Sequence, residues 1–223
     1  MDCCDVDALL LKEFHRHHHL LQQIRADAVK WGEHPDWPWN GLVMSAATLG
    51  GSRRWEQNVR PRYDEELSWR ALESVSDNER QRRFETVGLY WRRTATSLEG
   101  LYRSIRDKGG PALFREKLST MDAAEIIIFW KSFSGIGDKY ARNIMMDVYD
   151  PRFRNGYFAI DRRITGLLPV LGYDGHHRYE AQEAFLNSLA SRIGIESWEL
   201  DRLLYQADRE IKALFIDCKT KPS

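Results

Sequence analysis

The sequence predicts an all-α fold, and three stretches carry that prediction. Residues 1 to about 31 place Leu9, Leu10, Phe14, Leu20, Leu21, Ile24, Ala28 and Trp31 at the spacing of one amphipathic helix. Within Ser119 to Leu168, two apolar helical runs flank the tight turn Ser134-Gly135-Ile136-Gly137. From Arg162 onward the chain reads as helices, with turns at Gly172 to His177 and near Gly194.

Taken in order, the first helix carries His15, His17, His18 and His19. Consecutive residues on a helix point in different directions, and no Cys/His zinc spacing accompanies them, so they read as a solvated or partly buried face. His34 to Asn40, HPDWPWN, is a proline-broken connector whose two tryptophans suggest a loop packed on the body. Gly41 to Ala47 opens an apolar helix; Thr48 to Ser52 is a turn, and Arg53 and Arg54 beyond it suit phosphates. Tyr63 to Ser74 reads as one mixed-charge helix with Leu67, Ala71 and Val75 on its apolar side. Thr96 to Ile105 is helical, Lys108 to Pro111 ends it, and a short helix from Pro111 to Leu118 leads to Ser119-Thr120. Those two hydroxyl residues are expected to cap the first hairpin helix.

In the hairpin, Ala123, Ile127, Trp130 and Phe133 fall near one face before the turn. After it, Tyr140, Ile144 and Val148 repeat at i, i+4, i+8, with Ala141 and Met145 beside them. Gly135 and Gly137 permit unusual backbone angles and let a ligand approach the main chain closely. The second helix then begins with N–H groups that suit a phosphate. Lys139 lies in its first turn, and Asp161 follows the extended apolar stretch Tyr157-Phe158-Ala159-Ile160 and opens the next helix. The last helices bury Trp198, Leu200, Leu203, Leu204 and Ala207, then Ile211, Leu214 and Phe215.

Composition narrows the partners. The 223 residues balance 33 Lys plus Arg against 33 Asp plus Glu, so any nucleic-acid surface has to be a local patch. Three cysteines, Cys3, Cys4 and Cys218, form no disulfide framework and point to a reducing compartment. No apolar run reaches membrane-spanning length, and the start lacks the charged-then-apolar order of a signal peptide. The expectation is an intracellular protein of the cytoplasm and nucleoid, or of the nucleus.

The order G-I-G-D-K, apolar helix, loop, apolar-apolar-Asp resembles the helix-hairpin-helix DNA glycosylases, the superfamily of endonuclease III and the 8-oxoguanine DNA glycosylases, over roughly residues 40 to 215. The resemblance implies two helical subdomains with an interdomain cleft. Residues 36–155 would form a helical barrel containing the hairpin (about 123–149), while 1–35 and 156–223 pack as the other half. It implies Lys139 as nucleophile and Asp161 as its carboxylate partner, with Gly135, Ile136 and Gly137 clamping a phosphate of damaged double-stranded DNA. In T-V-G-L-Y, Leu89 stands where the family wedges a leucine into the duplex, with Arg92 and Arg93 as phosphate contacts. Ala47 stands where the family often has a gap-filling Gln, and Asn143, one turn past Lys139, would face the base. The loop Tyr149 to Asn155 is longer than the family's, and its Arg152 and Arg154 would add backbone contacts. Main-chain carbonyls of Lys131, Phe133 and Ile136 would hold a structural K+ or Na+, whereas the family's iron–sulfur loop is missing, since only Cys218 lies near the end.

The implied activity is bifunctional, in a monomer. An oxidised base, 8-oxoguanine before an oxidised pyrimidine, is excised through a lysine Schiff base and the abasic strand is cut by β-elimination. A fixed carboxylate stabilises positive charge on the departing sugar. The attacking amine must be unprotonated, and the positive end of a helix suits that requirement. The alternatives are a monofunctional glycosylase using water and a non-catalytic DNA-binding hairpin module.

Overall fold

The structure, a computed structural model, describes residues 5–48, 53–88 and 90–220; among these the ordered elements are helices and turns, without a β-strand. In chain order they are α1 (Val6–Gly32), α2 (Trp39–Ala47), α3 (Trp69–Glu73), α4 (Asp77–Glu85), α5 (Trp91–Arg106), α6 (Pro111–Ser119), α7 (Ala123–Lys131), α8 (Asp138–Met146), α9 (Arg162–Leu167), α10 (Tyr179–Ile193), α11 (Ser197–Gln206) and α12 (Asp208–Thr220). They sort into two compact units, a central one, Lys30–Val148, and a terminal one, Met1–Val29 with Tyr149–Ser223.

The central unit is built on aromatic side chains. Trp39 is fully buried, its ring centroid 5.6 Å from Phe84, 5.7 Å from Tyr102 and 5.9 Å from Trp69. Its indole N–H donates to the Leu67 carbonyl at 2.8 Å, so the buried polar edge is satisfied. The proline-broken connector before it packs inward as expected, with Trp37 also buried. Its carbonyls converge on Arg115, whose guanidinium donates to His34 at 2.6 Å and to Pro35 and Trp37 at 3.1 Å. Asp36 in the same connector accepts from the Tyr63 hydroxyl at 3.0 Å and the Trp69 N–H at 2.7 Å.

That second bond explains one departure from the periodicity. The stretch from Tyr63 to Ser74 is not one helix: a π-helical turn, Tyr63–Leu67, ends at Ser68, which is extended and caps α3 by accepting the Ala71 N–H at 3.3 Å. Leu67 and Leu72 are buried there, and Val75 falls beyond the helix. A second departure is the cap of α7. Asp122, not Ser119 or Thr120, is the N-cap, because Asp122 and Glu125 form a reciprocal capping box with both bonds at 2.8 Å. Ser119 and Thr120 end α6 and donate back to the Glu116 and Lys117 carbonyls. In the hairpin core Trp130, Ala141, Ile144 and Met145 are buried as expected, while Ile126 takes the buried place expected for Ile127. Ile126 and Trp130 meet Ala141, Ile144 and Met145, with the Trp130 indole donating to the Met145 sulfur at 3.5 Å.

In the terminal unit, Leu10 and Leu21 of α1 join Ile164, Leu186, Leu189, Leu200, Leu203, Ile211 and Phe215 in one apolar core. Leu20, expected inside, is 39% exposed, since the buried stripe of α1 runs through Leu10, Glu13, Leu21 and Ala28. His15, His18 and His19 are exposed, while His17 hydrogen-bonds the Glu13 carbonyl at 3.0 Å. Arg25 donates to Glu199 at 2.6 Å and Glu196 at 3.3 Å and lies 4.9 Å from the Tyr149 ring centroid.

The α4–α5 pair carries the central unit's most buried charge. Arg80, with a side chain 3% exposed, donates twice to Glu99 at 3.0 Å and once to Asp77 at 2.7 Å. Burial raises the Glu99 carboxyl, but hydrogen bonds from Arg80 and Arg103 outweigh it and hold the group below its ordinary range. A carboxyl depressed on folding stabilises the fold above its unfolded pKa, about 4.3 for Glu, and loses that contribution as pH falls through the lower folded value. Urea melts should therefore show stability declining below about pH 4. Glu99→Gln should cost about 2 kcal/mol at pH 7, because it leaves a buried guanidinium half-paired.

Candidate nucleic-acid interface and catalytic residues

The hairpin turn joins α7 to α8 in the central unit, and its geometry separates the two glycines. Gly135 has φ +90°, a left-handed conformation that a side chain strains, and a Cβ there would sit 3.3 Å from the Ser97 hydroxyl. Gly137, the N-cap of α8, is extended at φ −98°, ψ −170°, which any residue adopts. It was expected to need glycine's backbone freedom and does not. What it offers is space, since nothing lies within 4 Å of a Cβ placed on it. No side chain caps α8, so the first-turn amides open toward that space.

The charges at the turn are arranged around Asp138, the first residue of α8. Lys131, at the end of α7, bonds its carboxylate at 2.6 Å and Arg142 approaches at 3.4 Å. The Lys131 hydrogen bond, against a smaller opposing effect of burial, holds the Asp138 carboxyl below its ordinary range. Asp138 is thus neutralised from two sides. Lys139 is half-buried, its ammonium 4.8 Å from the Tyr140 ring centroid, and among the described residues no carboxylate of its own unit pairs with it. Sequence reasoning missed Asp138; a basic residue ending one helix and an acid opening the next is the signal that marks it.

A cavity of about 210 Å³ lies against the inner side of this turn, walled by α2, the start of α5, the turn and α8. Arg93 lines it, together with Tyr90, which is 62% exposed, and with Gly135 and Ile136. Ala47 does not: it is fully buried, and its neighbours Ser45 and Ala46 face the cavity instead. Asn143 is half-buried and donates to Asp147 at 2.6 Å within α8. Arg53 and Arg92 are exposed and Arg54 half-buried. Leu89, with Cys3, Cys4 and the turn residues Leu49 to Ser52, lies outside the described residues. Among the carbonyls expected to hold a cation, that of Phe133 accepts the Ile136 N–H at 3.1 Å, closing the turn.

Asp161 belongs to the terminal unit, where it is the N-cap of α9. One oxygen, Oδ1, accepts the N–H groups of Arg163 at 2.8 Å and Ile164 at 3.0 Å; among the described residues Oδ2 has no hydrogen bond. The extended stretch before it is held by side chains of α10 and α11. Glu183 accepts the Phe158 N–H at 2.9 Å and Asp201 the Ala159 N–H at 2.8 Å. The Tyr179 hydroxyl accepts from the Ile160 N–H at 3.0 Å and donates to the Phe158 carbonyl at 2.6 Å. Three consecutive amides thus lead to Asp161 in a fixed register. In the loop before them, Arg152 is taken up by Asp150 at 2.7 Å, and Arg154 lies 4.2 Å from the Tyr149 ring centroid. Both arginines, expected on a DNA backbone, have neighbours inside the unit.

The crystal structure of an 8-oxoguanine DNA glycosylase from Methanocaldococcus jannaschii is similar to this chain, with a TM-score of 0.68 at 12% identity, over 92% of this chain and 94% of that one. No family model and no curated protein sequence matches. At that identity the likeness establishes the fold, the all-helical architecture of a helix-hairpin-helix DNA glycosylase.

The two glycines should respond differently to alanine. Gly135→Ala should lower stability in thermal or urea melts by about 1–2 kcal/mol, through its positive φ and the Ser97 contact. Gly137→Ala should stay within about 0.5 kcal/mol of the parent. In the terminal unit, Asp201→Ala should cost about 1–3 kcal/mol by leaving the Ala159 N–H buried without its acceptor.

Proposed function

We propose that the protein is a base-excision DNA glycosylase with abasic-site lyase activity, in which Lys139 is the nucleophile and Asp161 its carboxylate partner. The observation that supports it best is the placement of Lys139. It stands in the open first turn of α8, directly beyond the Gly135 turn, unclaimed by a carboxylate of its own unit, on a fold of the same kind as a DNA glycosylase's. Asp161 adds to it, because capping α9 occupies Oδ1 and leaves Oδ2 for chemistry.

In the reaction, the Lys139 amine attacks the anomeric carbon as the base departs with the electrons of its glycosidic bond. Asp161 stabilises the positive charge that develops on the sugar and accepts the proton the amine gives up. The sugar ring opens to a protonated Schiff base. Loss of a C2′ proton then expels the 3′ phosphate, and the strand is cut by β-elimination. A stacked base shields the anomeric carbon, so the nucleotide must first be everted. The hairpin amides, with Arg53, Arg54, Arg92 and Arg93, would hold the backbone while Leu89 fills the stack. Carbonyls of Lys131, Phe133 and Ile136 would coordinate a monovalent cation; the Phe133 oxygen retains a second lone pair for it beyond the turn bond. 8-Oxoguanine is the first substrate to try, since the M. jannaschii neighbour carries that base in its name, and an oxidised pyrimidine the second.

The N-cap bond of Asp161 also favours a second reading, in which the carboxylate is structural and the hairpin only binds DNA. Asparagine caps about as well as aspartate, so Asp161→Asn separates the two. Borohydride should trap a covalent protein–DNA adduct on duplexes carrying 8-oxoguanine or an abasic site, and Lys139→Ala should abolish it. Asp161→Asn should keep the melting temperature and DNA affinity while slowing base release by about 10²–10⁴-fold. An adduct that survives Lys139→Ala sinks the lyase reading. Base release without any adduct would mean water is the nucleophile, and equal affinity for intact and damaged duplex without base release would leave a binding module.

A further inference from the structure

We propose that Tyr179 is a positioning residue for Asp161, its hydroxyl bracing the backbone that delivers the carboxylate. Phe158, Ala159 and Ile160 lie outside any helix and are buried, so their amides need side-chain acceptors. Glu183 and Asp201 each take one of them. Tyr179 does more with a single atom: its oxygen accepts the Ile160 N–H at 3.0 Å while its O–H donates to the Phe158 carbonyl at 2.6 Å. The hydroxyl thereby spans Ala159 and holds the last amide before Asp161. Tyr179 opens α10 with its ring packed against the apolar core of the terminal unit, which fixes the place of that oxygen.

Asp161 is consequently held from two sides. Behind it stands the brace; ahead of it Oδ1 accepts the N–H groups of Arg163 and Ile164. The helix it caps, α9, has six residues, too few to be stable on its own, so the cap alone is a weak anchor. A carboxylate that stabilises developing charge works only as well as it is held beforehand, and a misplacement of about 1 Å can cost about 10²-fold in rate. Phenylalanine would serve packing equally well, so the hydroxyl is the part that positions. That Asp161 is catalytic rests on the glycosylase reading; that Tyr179 holds it does not.

Amide hydrogen exchange and single-turnover kinetics of the full chain test the two parts separately. Tyr179→Phe, which removes one oxygen, should speed exchange at Arg163 and Ile164 about ten-fold, the effect of about one lost hydrogen bond, and leave Leu186 and Leu203 unchanged. On a duplex the parent processes, it should slow base release about 10–100-fold without changing affinity for abasic-site DNA. In an Asp161→Asn background the same substitution should slow base release no further, whereas a merely structural role would slow both backgrounds alike. Unchanged exchange at Arg163 and Ile164, acceleration spread evenly over the terminal unit, or equal slowing in both backgrounds overturns the proposal. If the parent releases no base from any lesion duplex, the glycosylase reading falls instead, and the exchange data alone decide whether Tyr179 positions Asp161. Should Tyr179→Phe fail to fold, native-state exchange of the parent decides: Ile160, Arg163 and Ile164 should open together with one denaturant dependence, and independent opening overturns the brace.

Discussion

An amide N–H outside a helix ladder has either to find an acceptor in the protein or to face water or a ligand, and this chain resolves the choice in opposite ways at its two candidate catalytic elements. Around residues 158 to 160 every amide is taken internally, by Glu183, Asp201 and Tyr179. Those bonds let an irregular segment run buried through the terminal unit, and they fix the register in which Asp161 arrives at α9. At the start of α8 no side chain caps the helix, and the space before Gly137 is open. The same backbone group is a structural anchor in one place and an unspent donor in the other.

The arginines follow a similar division, on a chain without net charge. Arg80, Arg103, Arg115, Arg152 and Arg192 are engaged by carboxylates or carbonyls and serve the fold. Arg53, Arg93 and Lys139 sit outside these networks, on the unit that carries the hairpin. At the turn itself the acid that opens α8, Asp138, is matched by Lys131 and Arg142. A phosphate approaching the helix start would meet a carboxylate already held by two cations, with the Lys139 ammonium beside it.

Legibility varied with how local the determining physics was. The helix of Trp198 to Ala207 and the hairpin were readable because apolar spacing and a Gly-x-Gly turn are short-range signals. The cap of α7 was misplaced at Ser119-Thr120, although the D-x-x-E box at Asp122 and Glu125 stands in the sequence. The break at Ser68 could not be read, because Asp36, more than thirty residues upstream, takes the Trp69 amide that a continuous helix would have used. Arg152 and Arg154 look like phosphate ligands in a list of residues; only the folded chain sets the Asp150 carboxylate against the first and the Tyr149 ring against the second.

By itself the sequence determined the helical class, the position of the hairpin and the identity of the lysine and aspartate worth testing, since each follows from periodicity, turn chemistry or residue order over a few positions. Tertiary structure alone decided which glycine is conformationally required, which arginines are engaged by the fold, and that the Ser45 hydroxyl is buried without a partner. Those depend on atoms brought together from distant parts of the chain, and pairwise distance is not written in any local pattern.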